Sequence, residues 1–225
     1  MRSSFLAATA LVLTLAACNL KEAPKVGYEA PKELEAEVDS TIYGFCGRAS
    51  TASVLQLVSM ANNDTLMLNV EEARRNGKVL GGYTPGDQVY VVTNQDKTEA
   101  LLTINEKMLT KEWVEPSAYD GTTPVGVNLK PGGDAESIEQ TDVVYVKWSI
   151  MNGLLQLVET RDDGTGVQTI QSYTIRRLTE DSLYIFNNEE SFEFGVLSKY
   201  ADQTSEGYYD DEEDNDEEDF LRAFD

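Results

Sequence analysis

The sequence predicts an all-β protein built as two antiparallel bodies in series. Three observations carry this reading. Apolar and polar residues alternate with period two, as in Val144, Val146, Trp148 and Ile150 against Tyr145, Lys147 and Ser149. Runs rich in Val, Ile, Leu, Tyr and Phe are short, and turn-forming residues punctuate them every few positions. Before Thr41 the composition changes to a Lys-, Glu-, Pro- and Ala-rich stretch, and after residue 198 it changes again to an acidic one.

The first body spans residues 41–107. Strands are expected at 51–60 (TASVLQLVSM) and 64–70 (DTLMLNV), separated by an Ala-Asn-Asn-Asp turn. EEARRNGK (71–78) has one helical turn of propensity and stops at Asn-Gly. VLGGYTPGD (79–87) is turn chemistry, and 88–93 (QVYVVT) and 99–104 (EALLTI) are further strands. Short strands with one short helix among them fit a small barrel of the OB or SH3-like type.

The second body spans residues 108–198. Strands are expected at 111–115, 125–129, 134–138, 143–150, 154–159, 167–178, 182–187 and 191–196. Between them lie Pro131-Gly132-Gly133, Asn152-Gly153, Asp162-Asp163-Gly164, Glu180-Asp181 and Asn187-Asn188. Asn-Gly between two apolar runs is a strong signal for a two-residue hairpin, because both turn positions need positive φ. Eight such strands in up-and-down order can close into a barrel just wide enough to fill with side chains or to hold one small ligand.

The segments flanking the two bodies carry the address. Phe5–Ala17 is an apolar run of 13 residues, broken only by Thr9 and Thr14, behind a single Arg2. A membrane-crossing helix needs ~20 apolar residues. This run is too short and ends in small residues, so residues 1–17 read as a secretory signal peptide. Leu15-Ala16-Ala17-Cys18 resembles the bacterial lipobox. That resemblance implies cleavage before Cys18 and acylation of its thiol, so that the chain meets the membrane through an N-terminal lipid. Each buried CH₂ contributes about 0.8 kcal/mol, so two or more acyl chains hold stably. Asn19 rather than Asp after the cysteine implies, by the same resemblance, an outer-membrane destination on its periplasmic face or at the cell surface. Residues 18–40 are expected to be a tether.

Charge removes one class of partner. The net charge is −22, and nine of the 40 acidic residues fall in DDEEDNDEED (210–219). Such a chain lacks the clustered Lys and Arg that phosphate contacts require, so no nucleic-acid partner is expected. Residues 199–225 read as a disordered acidic tail. Tyr208-Tyr209 before it and FLRAF after it leave open a docking role on a basic partner.

The chain has no histidine and two cysteines. With Cys18 acylated, Cys46 has no disulfide partner and reads as a small buried hydrophobe. GGDAES (132–137) and DDGTG (162–166) place carboxylates beside glycines, but without calcium-loop spacing, and read as hairpin turns. No nucleophile elbow, zincin helix or P-loop occurs. Neither an enzymatic activity, a metal nor a cofactor is expected.

The segments EWVEPSAYDGTTPVGVNLKPGGDAESI, YVKWSIMNGLLQLVE and SYTIRRLTEDSLYIF resemble the lipocalin-like domain of Bacteroidota lipoproteins, over about residues 108–197. The recurring parts are Leu109 and Trp113 in an L-x-x-x-W setting and the turn Gly132-Gly133 before Ala135, Ser137 and Ile138. Trp148 and the Thr179–Leu183 hairpin complete them. The Gly-x-Trp signature of lipocalins proper is absent, because Lys111 stands two before Trp113. VLGGYTPGDQVYV resembles the companion domain of the same lipoproteins. The resemblance implies an eight-stranded lipocalin-like barrel and no established reaction.

Trp113, Trp148, Tyr173, Tyr184, Phe192 and Phe194 are the candidates to line a ligand cavity. Filling of the barrel by these same rings is the other possibility. The expected role is non-enzymatic binding of a small apolar ligand or of an envelope protein. The alternative is an accessory subunit of an envelope complex that makes protein contacts only.

Overall fold

The computed structural model describes residues 38–139, 143–161 and 166–198. The leader, Cys18, the tether to residue 37, the 162–165 turn and the acidic tail lie outside the described residues.

The first sheet contains β1 (Ile42–Cys46), β2 (Val54–Ser59), β3 (Thr65–Asn69), β4 (Val79–Leu80), β5 (Gln88–Thr93) and β6 (Ala100–Asn105), with helix α1 (Glu71–Arg75) after β3. Its order is β3-β2-β1-β5-β6-β4. A parallel bridge from Asn69 to Glu99 returns β3 to the start of β6. Five strands in that cyclic order, with a helix between the third and the fourth long strand, form the OB arrangement. Val79 and Leu80, expected as turn, instead pair in parallel with Thr103 and Ile104. Alternation in β2 buries Leu55 and Leu57, which pack with Leu68, Val70, Val89, Val91, Ala100 and Cys46.

Helix α2 (Glu106–Leu109) follows, capped by the Asn105 side chain, and leads into the second sheet. Its strands are β7 (Glu112–Pro116), β8 (Pro124–Leu129), β9 (Ala135–Ile138), β10 (Val143–Met151), β11 (Leu154–Arg161), β12 (Gln168–Leu178), β13 (Ser182–Phe186) and β14 (Ser191–Val196). The order β10-β11-β12-β13-β14-β7-β8-β9 is an up-and-down meander with one jump, from β14 to β7. The ends nearly meet. Trp148 N–H donates to Gly133 O at 2.8 Å, and Asp134 bridges to Lys147. Farther along, Ser137 Oγ donates to Val143 O at 2.9 Å and accepts from Tyr145 N at 2.8 Å. A serine side chain thus stands in for a missing stretch of ladder.

Two local features shape this barrel. Gly126 faces Val114, and a Cβ there would lie 2.0 Å from Trp113 O, so only glycine lets β8 approach β7 this closely. A bulge between Tyr145 and Lys147 shifts the register of β10. Period two alone puts Val144 and Trp148 on one face. The bulge instead buries Tyr145 and leaves Val144 exposed, because an extra residue reverses the alternation.

The two sheets share a core. Leu80, Tyr90 and Ile104 of the first sheet belong to the same apolar cluster as Trp113, Trp148, Ile150 and Leu178 of the second. Asn152 and Gly153 have φ of 52° and 74°, the hairpin that the Asn-Gly pair predicts. Their turn docks on the first sheet. A Cβ on Gly153 would meet Leu102 and Val92 at 2.7 and 2.9 Å. Asp39 accepts from the backbone N–H of Asn152 at 2.9 Å, and Ser40 N–H donates to Asn152 Oδ1 at 2.8 Å. Tyr43 Oη lies 2.5 Å from Asp39 Oδ2 and 2.6 Å from Ile150 O, and donates there.

Candidate functional site

Antiparallel partners directly opposite one another point to the same face of a sheet, so the barrel's inner wall follows from its register. The ladders Trp113↔Val127, Leu129↔Ala135, Ile150↔Leu155, Trp148↔Leu157, Tyr145↔Glu159, Leu155↔Tyr173 and Leu183↔Phe194 all join inner residues.

One end of the barrel is filled. It is the end that carries the Asn152-Gly153 and Thr179–Asp181 turns and meets the first sheet. Trp113 is fully buried, and its Nε1 donates to Leu109 O at 2.7 Å. Trp148 donates through Nε1 to Lys130 O at 2.8 Å. Its ring meets Tyr90 edge-on at 6.2 Å, and Tyr90 meets Tyr43 edge-on at 5.4 Å. Both indoles therefore have their polar atom satisfied by backbone and their rings packed in core. They are structural floor rather than open wall.

Farther along the barrel three other candidates come together. Tyr173 meets Phe192 edge-on at 5.9 Å, and Phe192 stacks on Phe194 at 5.4 Å. Tyr184 does not join them, which corrects its expected place in the cavity. The register sets Tyr184 opposite Arg177 and Glu193, while Leu183 and Ile185 point inward. Its ring stacks on Phe186 at 6.1 Å on the outer face. Phe186 also lines a cleft of about 270 Å³ with Asn76, Gly77, Lys78, Thr174, Ile175 and Arg176.

The end opposite the first sheet carries the β7–β8 and β13–β14 turns. There the inner wall becomes polar. Glu159 is 4% exposed and accepts from Thr169 Oγ1 at 3.2 Å. Glu115 is on β7, two positions from Trp113 and so on the same inner face. Glu190, in the β13–β14 turn, accepts from the Tyr173 hydroxyl. Tyr145, opposite Glu159 in the ladder, is 6% exposed.

The electrostatics agree with this grouping. Burial, then the charges of Glu159, Glu190 and Glu115, push the Tyr145 hydroxyl far above its ordinary pKa. Burial and the Glu190 carboxylate do the same to Tyr173. Burial raises Glu115 above the usual carboxylate range, against the Glu193 N–H that favours its charged form. These groups all stay protonated longer than their free counterparts.

The other sequence candidates are accounted for locally. Cys46 is buried in the first sheet's core, with burial raising its thiol and Ser50 Oγ at 3.2 Å opposing that shift. In GGDAES, Asp134 pairs with Lys147 and Glu136 with Lys130. Composition could not single out the acidic wall, because any of 40 acids might pair. Strand parity is the signal that finds it: Leu155, Leu157 and Glu159 share a face.

The family comparison agrees with this geometry. Residues 105–196 match the family model described as lipocalin-like. Among solved structures, a lipocalin-like protein from Bacteroides thetaiotaomicron VPI-5482 is similar, with 24% identity. The match covers 40% of this chain and 96% of that one, with a TM-score of 0.37. A search of curated proteins finds no match. Over residues 105–196, the eight-stranded barrel, this chain is similar to the lipocalin-like family.

Proposed function

We propose that this chain is a lipid-anchored outer-membrane protein whose eight-stranded barrel binds a small molecule without transforming it. The observation that carries the reading is the asymmetry of the barrel. One end is packed solid with Trp113, Trp148 and the first sheet's Tyr90. At the other end, polar side chains occupy inner-wall positions above the rings of Tyr173, Phe192 and Phe194. A core meant only to be filled has no need of a buried carboxylate such as Glu159 on its inner wall, because burying a charge costs free energy. A site with an apolar wall and a few convergent polar groups is the usual form of a small-molecule pocket.

The anchor part of the proposal rests on Leu15-Ala16-Ala17-Cys18. Two measurements test the whole. Feeding an alkynyl fatty acid to the producing cell labels the wild-type chain, and Cys18→Ser abolishes the label. An unlabelled wild type contradicts the anchor. Native mass spectrometry of residues 19–225, purified from their own envelope, finds a reproducible small mass bound. A clean unliganded mass, unchanged by incubation with envelope extracts, contradicts the binding role.

A further inference from the structure

The outer face of the barrel carries a site that the binding role does not use. It is the cleft beside Phe186, where the Asn76-Gly77-Lys78 segment after α1 meets β12. Gly81 N–H donates to Leu178 O at 3.1 Å, which ties the end of β4 to the end of β12. We propose that this cleft docks the chain's own acidic block, residues 210–219, against Lys78 and Arg176, with the following FLRAF run (220–224) on the Phe186 ring.

Local structure explains why the cleft is basic. A bulge between Ile175 and Arg177 shifts the register of β12. Ile175 and Leu178 are both buried, so the two arginines between them both stay outside. Arg177 is taken up by Glu193 and by Ser182. Arg74 of α1 is taken up by Ala52 O at 3.0 Å and Tyr83 Oη at 3.4 Å. Lys78 and Arg176 form no ion pair among the described residues. No carboxylate is among the described residues that line the cleft. In a chain of net charge −22 such a lining is the exception. Its apolar side is Phe186, which stands opposite Thr174 in the ladder and stacks on Tyr184 at 6.1 Å.

The reach of the chain selects the occupant. Arg177 pairs with Tyr184, and Tyr184 with Glu193, so two strand spacings and three residues of β14 separate Arg177 from Val196. That places the Arg176 side of the cleft about 15 Å from the end of β14. Asp210 stands twelve positions after Ser198. Twelve residues reach at most about 40 Å, and a coil of that length spans about 20 Å on average. A linker whose average length matches the gap holds its ligand at an effective concentration in the millimolar range. The block offers nine carboxylates in ten residues, so many registers satisfy two cations. A free small anion has neither advantage.

The test is zero-length carbodiimide crosslinking of the purified full chain, followed by peptide mapping. The expected product joins Lys78 to the 210–219 peptide within one chain, in higher yield than any product of the exposed Lys97 or Lys107 with that peptide. Arg176→Glu, a change at an exposed position, should cut the Lys78 yield about fivefold, the upper range of one exposed ion pair. It should leave the yields at Lys97 and Lys107 unchanged. Sodium chloride at about 0.5 M should suppress the Lys78 product, because exposed charges are screened. Equal yields at all exposed lysines mean bulk attraction and overturn the proposal. No Lys78 product, or one that Arg176→Glu leaves intact, overturns it too. Mixing isotopically heavy and light chains separates the last case: a Lys78 product that joins heavy to light is docking between copies and overturns self-docking. None of these results bears on the barrel's binding role, which uses the opposite face of the same strands.

Discussion

Trp148→Ala should unfold both sheets more easily, as one unit. Trp148 is 4% exposed, so nearly all of its surface is lost from the core on truncation. A buried Trp→Ala change costs about 3–5 kcal/mol. Roughly 1 kcal/mol of that is the Nε1–Lys130 O hydrogen bond at 2.8 Å. About 0.5–1.5 kcal/mol is the edge contact with Tyr90. Transfer and cavity terms make up the remainder. In a chain of this size the total lowers Tm by about 6–20 °C. Trp148→Phe keeps most of the ring and should lose only about 1–2 kcal/mol. The assay is urea unfolding followed by far-UV circular dichroism, which reads both sheets, and by fluorescence of Trp113, the tryptophan that remains. Because Tyr90 belongs to the first sheet, both probes should report one transition, displaced together. A loss under about 1 kcal/mol would refute the packing argument. Two separate transitions, with only the barrel's moving, would refute the shared core.

Three further outcomes follow from the same geometry. Gly126→Ala should cost about 1–3 kcal/mol, measured by urea unfolding, since the new Cβ falls 2.0 Å from Trp113 O and backbone must move. Asp39 is pushed up by burial, but the N–H groups of Asn152 and Thr41 and the Tyr43 hydroxyl outweigh this and hold it below 3.8. Its stabilisation is therefore present above pH 3.8 and lost as pH falls through the lowered folded value. Asp39→Asn should accordingly lower Tm at neutral pH, with the difference from wild type shrinking in acid. Glu115 is shifted the other way, raised by burial above 4.5, so ionising it works against folding as pH rises through its folded value. Glu115→Gln should raise Tm at neutral pH and converge with wild type below pH 4.5.

Much of this fold is legible in the residues, and the failures have physical causes. The eight strands of the second body follow from alternation and turn residues, because one face of each strand is buried and the other is not. Asn152-Gly153 gives its hairpin outright, since few other pairs accept two positive φ values. Residues 42–46 form β1 without standing out, because Gly44 interrupts their alternation. Tyr184 misleads because β13 is apolar on both faces: Leu183 and Ile185 point in, while Tyr184 and Phe186 cover the outside. The face of Tyr145 depends on a bulge, which no periodicity count contains. Trp113 and Trp148 are recognisable as buried, but only geometry shows their Nε1 groups taken by backbone carbonyls. The acidic mouth is hidden by abundance and emerges once strand register is known.

The measurement that tests the central claim most directly is photolabelling with a long-chain alkyl diazirine, followed by peptide mapping. The account predicts insertion into the inner wall, at Leu157, Tyr173, Phe192 or Phe194, suppressed by an excess of the same chain without the diazirine. Insertion confined to outer-face residues such as Tyr184, Phe186 or Ile170, and unaffected by competitor, would contradict it.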